Sequence, residues 1–336
     1  MIYGSTANLK LNLKMLLDVA FLKDGHFQNI QRNRTIYGVD ASKLVLDVSA
    51  SSDFGGISGC QVWQSPFQQW VYESGITLNQ SPMISGLSEP TRCSGIYVNG
   101  TFMQNSVSGN IFYVDYQNGR VIFSGTGIPS DTNIQADYAY KFWRVDFSLK
   151  SVNKDIQIYS ETYLKDNPFD GISSIIYPSG TDNRINVFPA IYLQFPDETF
   201  EPYELGNLTQ IENHIVWAHI YALDDWDLTT ARDILKSRIR NSYALIDFNY
   251  APLPLSGIVK TLNPNYMSYQ LMQTNPVYNG NNVSWGMYSF DDARYRDDDM
   301  IGNELPDAFF KGIFEYRIKL YNVSSTGRGP ANPYIT

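Results

Sequence analysis

Residues 188–240 read FPAIYLQFPDETFEPYELGNLTQIENHIVWAHIYALDDWDLTTARDILKSRIR, which parses as a strand, a polar connection with a glycine, a second strand and a capped helix. The second strand alternates Ile215, Trp217, His219 and Tyr221 against Val216, Ala218 and Ile220, so both of its faces carry aromatic or apolar side chains. A sheet built on it needs cover on both sides. The helix offers one cover, because Leu228, Ala231, Leu235 and Ile239 fall on one stripe while Arg232, Asp233 and Lys236 point elsewhere. One short helix leaves apolar sheet over, and a neighbouring subunit is the expected cover.

The rest of the chain is written mostly in short strands and tight turns. Aromatics reach 14%, with 24 tyrosines and 18 phenylalanines, and Gly, Asn, Ser and Pro recur at short intervals. The reading is α+β, mainly β: an N-terminal helix, an antiparallel meander or sandwich, and a sheet with one packed helix. A length of 336 residues suggests more than one folding unit. The expected divisions are 1–36, helical; 37–150, antiparallel β; and 151–336, α+β with a closing strand and tail. The texture changes at SLKSVNKD, which sets the second boundary.

Leu9, Leu13, Leu16, Leu17, Ala20 and Phe21 predict a helix over 7–23, with Ser5 or Thr6 as cap and Asp24-Gly25 as stop. Residues 9–13 also alternate like a strand, so local pattern leaves both readings open. Strands are expected at 43–48, 96–103, 156–163 and 310–321, and an aperiodic Ser/Gly loop at 49–59. Within 110–125, Asn118-Gly119 between two β-rich arms predicts a hairpin with a type I′ turn. After a turn at 128–131, residues 133–147 read as one long third strand of a meander, with Ile134, Ala136, Tyr138 and Tyr140 on one face. The Pro- and Asn-rich stretch 253–282 is expected to hug other structure or wrap a neighbour, and the tail STGRGPANPYIT to be disordered in isolation.

Net charge −9 and a pI near 4.8 leave no overall basic footprint for gripping phosphate backbones, yet they suit a channel wall past which DNA slides. Cys60 and Cys93 cannot make a disulfide framework, and without a secretory leader both are expected reduced. No apolar run approaches a membrane span, so no membrane partner is expected.

Chemistry is hard to place. His26, His214 and His219 are the only histidines. His214 and His219 lie five apart, which on one strand puts them on opposite faces, and His26 follows the helix-stopping glycine, where a capping role fits best. Asp225 or Asp227 is expected to cap the helix after 224–227. The run Asp291-Asp292 to Asp297-Asp298-Asp299 lacks the glycine and terminal glutamate of a calcium loop and holds Arg294 and Arg296, which predicts a solvated or salt-bridged loop. No phosphate cradle or dinucleotide signature is present. No catalytic, cofactor-binding or metal-ligating residue is nominated and no cofactor is expected. A hydrolase using two unlinked carboxylates stays open on pattern alone.

Two phrases carry a resemblance. YVDYQNGRVIF with IPSDTNIQADYAY resembles a β-meander common in virion proteins of tailed bacteriophages, and YELGN before HIVWAHIYALDDWDLTTARDIL resembles the core of tail-terminator and neck proteins. The resemblance implies a non-enzymatic structural protein of the head-to-tail junction or upper tail: a homo-oligomeric ring, six copies by the family pattern, assembled in the host cytoplasm into the virion. Its implied partners are itself, neighbouring connector, tube or sheath proteins, and DNA passing through the lumen without specific binding. The alternative is a phage fibre or baseplate attachment protein that binds host glycans through exposed aromatics.

Overall fold

The computed structural model describes residues 5–36, 39–47, 60–73, 75–79, 89–104, 112–123, 129, 132–147, 189–202, 210–222, 224–239, 241–257, 260–274, 284–297 and 310–322. The fold is α+β and mainly β. Helix α1 is Ser5–Lys23, and the first strands are β1 Phe27–Ile30, β2 Thr35–Ile36, β3 Val39–Asp40, β4 Lys43–Asp47 and β5 Gln61–Gln64. There follow β6 Gly95–Val98, β7 Thr101–Gln104, β8 Phe112–Asp115, β9 Arg120–Phe123, β10 Ile134–Ala136, β11 Tyr138–Lys141 and β12 Arg144–Phe147. The second half holds β13 Ala190–Pro202, β14 Gln210–Ala222, α2 Asp225–Lys236, β15 Ser242–Ile246, β16 Leu255–Ser256, β17 Thr261–Leu262, α3 Tyr269–Thr274, β18 Ser284–Asp297 and β19 Phe310–Asn322.

α1 takes the helical alternative for residues 9–13, and it ends where expected. Gly25 adopts φ 85°, Gly25 N–H bonds to Leu22 C=O and His26 N–H bonds to Phe21 C=O, a Schellman close that a Cβ at position 25 would strain. His26 thus closes the helix through its backbone, while its ring meets Phe21 edge-on.

A seven-stranded antiparallel sheet runs in the order β7-β6-β10-β4-β5-β9-β8. The expected partner strand β4 is there, but the single strand expected over 96–103 turns back at Asn99-Gly100, both at positive φ, into the hairpin β6–β7, and the meander is absent, because β4 and β5 separate β9 from β10. Local pattern fixes hairpins and leaves their lateral order open. The hairpin β8–β9 has a four-residue loop, since Asp115 pairs with Arg120. Gly119 alone of the Asn118-Gly119 pair takes positive φ, at 59°. Asp115 holds the loop, accepting from Asn118 N–H and from Arg120 Nε at 2.8 Å.

The stretch expected as one third strand is three strands in three sheets: β10 in the seven-stranded sheet, β11 paired with β1, and β12 beside β13. Its breaks fall at Asp137 and at Phe142-Trp143. Ile134, Ala136, Tyr138 and Tyr140 still share one hydrophobic core, with Trp70 stacked on Tyr138 and Phe67 on Tyr140.

The larger sheet has six strands in the order β12-β13-β14-β19-β18-β15, antiparallel except for β12 with β13. It draws strands from both sides of position 150. One face, with Val216, Ala218, Ile220, Phe314, Tyr316, Ile318 and Leu320, forms the core against three helices where one was expected. α2 contributes Leu228, Ala231, Ile234 and Leu235, with Ile239 packed alongside; α1 and α3 complete the layer. Fully burying such side chains contributes about 1.5–3 kcal/mol each. Of the stretch 253–282, the described residues 253–257 and 260–274 hug their own chain: Leu255, Leu262 and Tyr266 pack on the seven-stranded sheet's core, while Tyr269 and Met272 enter the other; 258–259 and 275–282 lie outside the described residues. The expectations for 49–59, 156–163, the turn at 128–131 apart from Pro129, and 325–336 lie outside the described residues.

Candidate functional site

The residues singled out for chemistry are held apart. His214 lies on the helix-covered face of β14, buried, with Nε2 3.2 Å from Glu212 and Nδ1 3.8 Å from Glu198. His219 lies on the other face, 2.9 Å from Gln194 and edge-on to Trp217. The opposite-face reading holds. His26 is elsewhere, its pKa lowered by burial against the smaller raising effect of Asp24. Among the described residues no group of three or more His, Cys, Asp or Glu could hold a metal ion.

Asp224, one residue earlier than expected, caps α2: its Oδ1 accepts from Asp227 N–H at 2.7 Å. Asp225 and Asp227 sit in the first turn, where the backbone N–H groups favour negative charge. Even so, burial and then Asp224 push the Asp227 carboxyl up to about 6. The acidic run expected to be a loop at 291–299 is, as far as 297, part of strand β18. Its salt bridges are present: Asp291 to Lys319 at 2.9 Å, Asp292 to Arg294 at 3.9 Å, and Arg296 to Glu315 at 2.7 Å.

Sequence reasoning missed a buried ionic cluster where the two cores meet. Lys141 on β11 contacts Asp18 of α1 at 3.2 Å and Glu73 at 2.8 Å, all three at most 4% exposed. Burial lowers the ammonium's pKa, and Asp18 with Glu73 more than offset this, leaving it raised. Tyr72, whose ring lies 4.4 Å from the ammonium, has its own pKa pushed well up by burial, then by Glu73 and Asp18. The signal was legible in principle: Asp18, Glu73 and Lys141 each interrupt an apolar run, LLDVAF, WVYES and YAYKFW. The cluster joins two layers.

The surface best placed to act is the periphery of the six-stranded sheet. β12 covers only residues 190–193 of β13, and β15 covers only residues 284–289 of β18. Among the described residues no strand runs along the outer side of 194–202, nor along that of 290–297. These stretches lie at diagonally opposite corners, because the residue 202 end of β13 is level with residue 286 of β18 through β14 and β19. Each carries a bulge, at Gln194/Asp197 around Pro196 and at Phe290/Asp292, and each bears charge: Asp197 and Glu198 on one, Asp291, Asp292, Arg294 and Arg296 on the other. Bulges, proline and charge keep such edges from pairing indiscriminately. The sheet face away from the helices mixes half-buried Ile215, Trp217 and Ile313 and exposed Arg317 with buried Tyr192, His219 and Tyr221.

No family model matches the chain, and no curated protein matches it. No helix among the described residues is long and apolar enough to cross a membrane.

Proposed function

We propose that the chain is a structural subunit of a tailed-phage virion, at the head-to-tail junction or upper tail, which joins copies of itself into a ring around the DNA path. The observation that carries this reading is the complementarity of the two uncovered edges. β13 and β18 run in opposite directions within the sheet, so placing the next copy's β13 against β18 in the same orientation gives an antiparallel pair. The uncovered halves then meet only if the neighbour shifts along the strands by the length that β15 covers, roughly 20 Å at about 3.4 Å per residue. That stagger also keeps β15 of one copy clear of β12 of the next.

A repeated stagger is what a sheet needs to close on itself, since barrel strands tilt and their register shears. The contact is heterologous, so repetition gives a closed ring or an open helix. The sequence resemblance supplies the virion context and the expected six-fold ring. Mass photometry and negative-stain microscopy across micromolar concentrations test the reading. Rings of one defined mass support it; a monodisperse monomer at every concentration refutes it, and saturable glycan binding by that monomer would favour the attachment-protein alternative.

A further inference from the structure

β15 is the outermost strand on its side of the six-stranded sheet among the described residues, yet the outward backbone groups of Ala244 and Ile246 are occupied. They are met by side-chain amides. Gln273 of α3 accepts from Ala244 N–H at 2.9 Å and donates to Ala244 C=O at 2.8 Å. Asn12 of α1 accepts from Ile246 N–H at 3.0 Å and donates to Ile246 C=O at 2.9 Å, and Asn8, one turn earlier, accepts from Phe248 N–H at 3.1 Å. Positions 244, 246 and 248 are the alternate residues a partner strand would address.

Each carboxamide is spent in full. The second proton of Gln273 Nε2 goes to the Tyr269 hydroxyl, which donates to Asn12 Oδ1, and the second proton of Asn12 Nδ2 goes to Asn8 C=O. Asn8 and Asn12 are themselves 0% exposed on a helix otherwise rich in leucine, a costly placement unless every polar atom is matched. A helix cannot pair with a strand edge through its own backbone, since its N–H and C=O groups lie along its axis. Asparagines spaced four apart supply peptide-like groups instead.

We propose that Asn8, Asn12 and Gln273 form a built-in false strand that closes β15 against strand addition by a second copy of this chain. Self-association is thereby confined to other surfaces of the sheet. The closure does not depend on the ring; the ring gives it a purpose, because a subunit with edges to join needs the remaining edge silenced.

Residue-resolved amide exchange on the intact protein tests this, with Gln273→Met at a half-buried site and Asn12→Leu as second variant. In the wild type, Ala244, Ile246 and Phe248 amides should exchange slowly, as paired ladder amides do. Gln273→Met should speed exchange at Ala244 on the order of 100-fold while Ile246 stays slow, Asn12→Leu should do the reverse, and either should add thioflavin-positive, concentration-dependent oligomers. Fast exchange at all three amides in the wild type overturns the proposal. So does a folded Gln273→Met whose oligomeric state matches wild type, and should that variant not fold, the wild-type profile and Asn12→Leu decide. Loss of rings with these amides still protected counts against the ring alone.

Discussion

Gly119 shows what a single residue can settle. An added Cβ would lie 2.0 Å from Phe67 C=O and 2.9 Å from Trp70 Nε1, at a φ of 59° that side-chain-bearing residues avoid. Strain and overpacking combine, so Gly119→Ala should lower stability by about 2–4 kcal/mol, read from urea unfolding, and should disturb the Phe67–Tyr140 and Trp70–Tyr138 stacks. The sequence placed a turn at this glycine correctly but not its type. Two-residue and four-residue loops share the Asn-Gly signal, and Asp115 bonding forward to Asn118 selects the longer one. Asp227 gives a residue-scale prediction in pH. Its folded pKa of about 6 lies above the ordinary 3.8, so the charged form costs stability above pH 6, and the cost disappears below about pH 4, where both states are protonated. Stability should therefore rise as pH falls from 7 toward 4. Asp227→Asn should remove that slope and stabilise at pH 7.5 by about 1 kcal/mol once solvent screening at this half-exposed site is allowed for. Urea midpoints of the two proteins against pH provide the check, and a parallel pair of curves would contradict the assignment.

At the scale of elements, periodicity located the long strands and helices and failed where a strand changes partners. Residues 134–140 keep one alternation while passing from the seven-stranded sheet to the pairing with β1, because alternation records which side is buried and says nothing of which neighbour supplies the hydrogen bonds; at Phe142-Trp143 the phase flips, and Trp143 and Val145 enter the other core. The charges that mark this handover were visible as interruptions, but pairing Asp18 with Lys141 needs the tertiary fold. Lys141→Met should leave Glu73 buried without its cation and Asp18 with only the more distant Lys14, 3.9 Å away, and cost about 3–5 kcal/mol. Replacing all three at once, with Asp18→Asn, Glu73→Gln and Lys141→Met, should recover much of that loss, since no net charge then stays buried. Calorimetry of the single and triple variants tests the point: a triple variant as unstable as the sum of its single changes would show that the residues act independently. The raised Lys141 pKa adds a direction. The stability that the pairing contributes is complete below the ordinary lysine value and declines only as pH rises through the higher folded value, so neutral and mildly alkaline solutions should leave the cluster intact.

For the whole molecule, the physical question is which edges of the six-stranded sheet can accept a strand. Excess apolar sheet predicts a neighbouring subunit as cover, whereas the fold covers one face with three of its own helices, and among the described residues two corners of the sheet have no strand beside them. Self-association is therefore a matter of edges more than of faces. A proline on the uncovered half of β13 separates the two ideas, because it removes one N–H and obstructs a partner strand while leaving the opposite face of the sheet chemically unchanged. Successive residues of a strand direct their N–H groups to opposite sides, so of Glu198→Pro and Thr199→Pro one removes an outward N–H and the other an N–H bonded toward β14. The outward variant should unfold within about 2 °C of wild type yet stay monomeric at concentrations where the wild type forms rings. The inward variant should lose several degrees. If the thermally intact variant still forms rings of unchanged mass, the copies are not joined along β13, and the sheet face bearing half-buried Trp217 and Ile313 becomes the surface through which assembly must be explained.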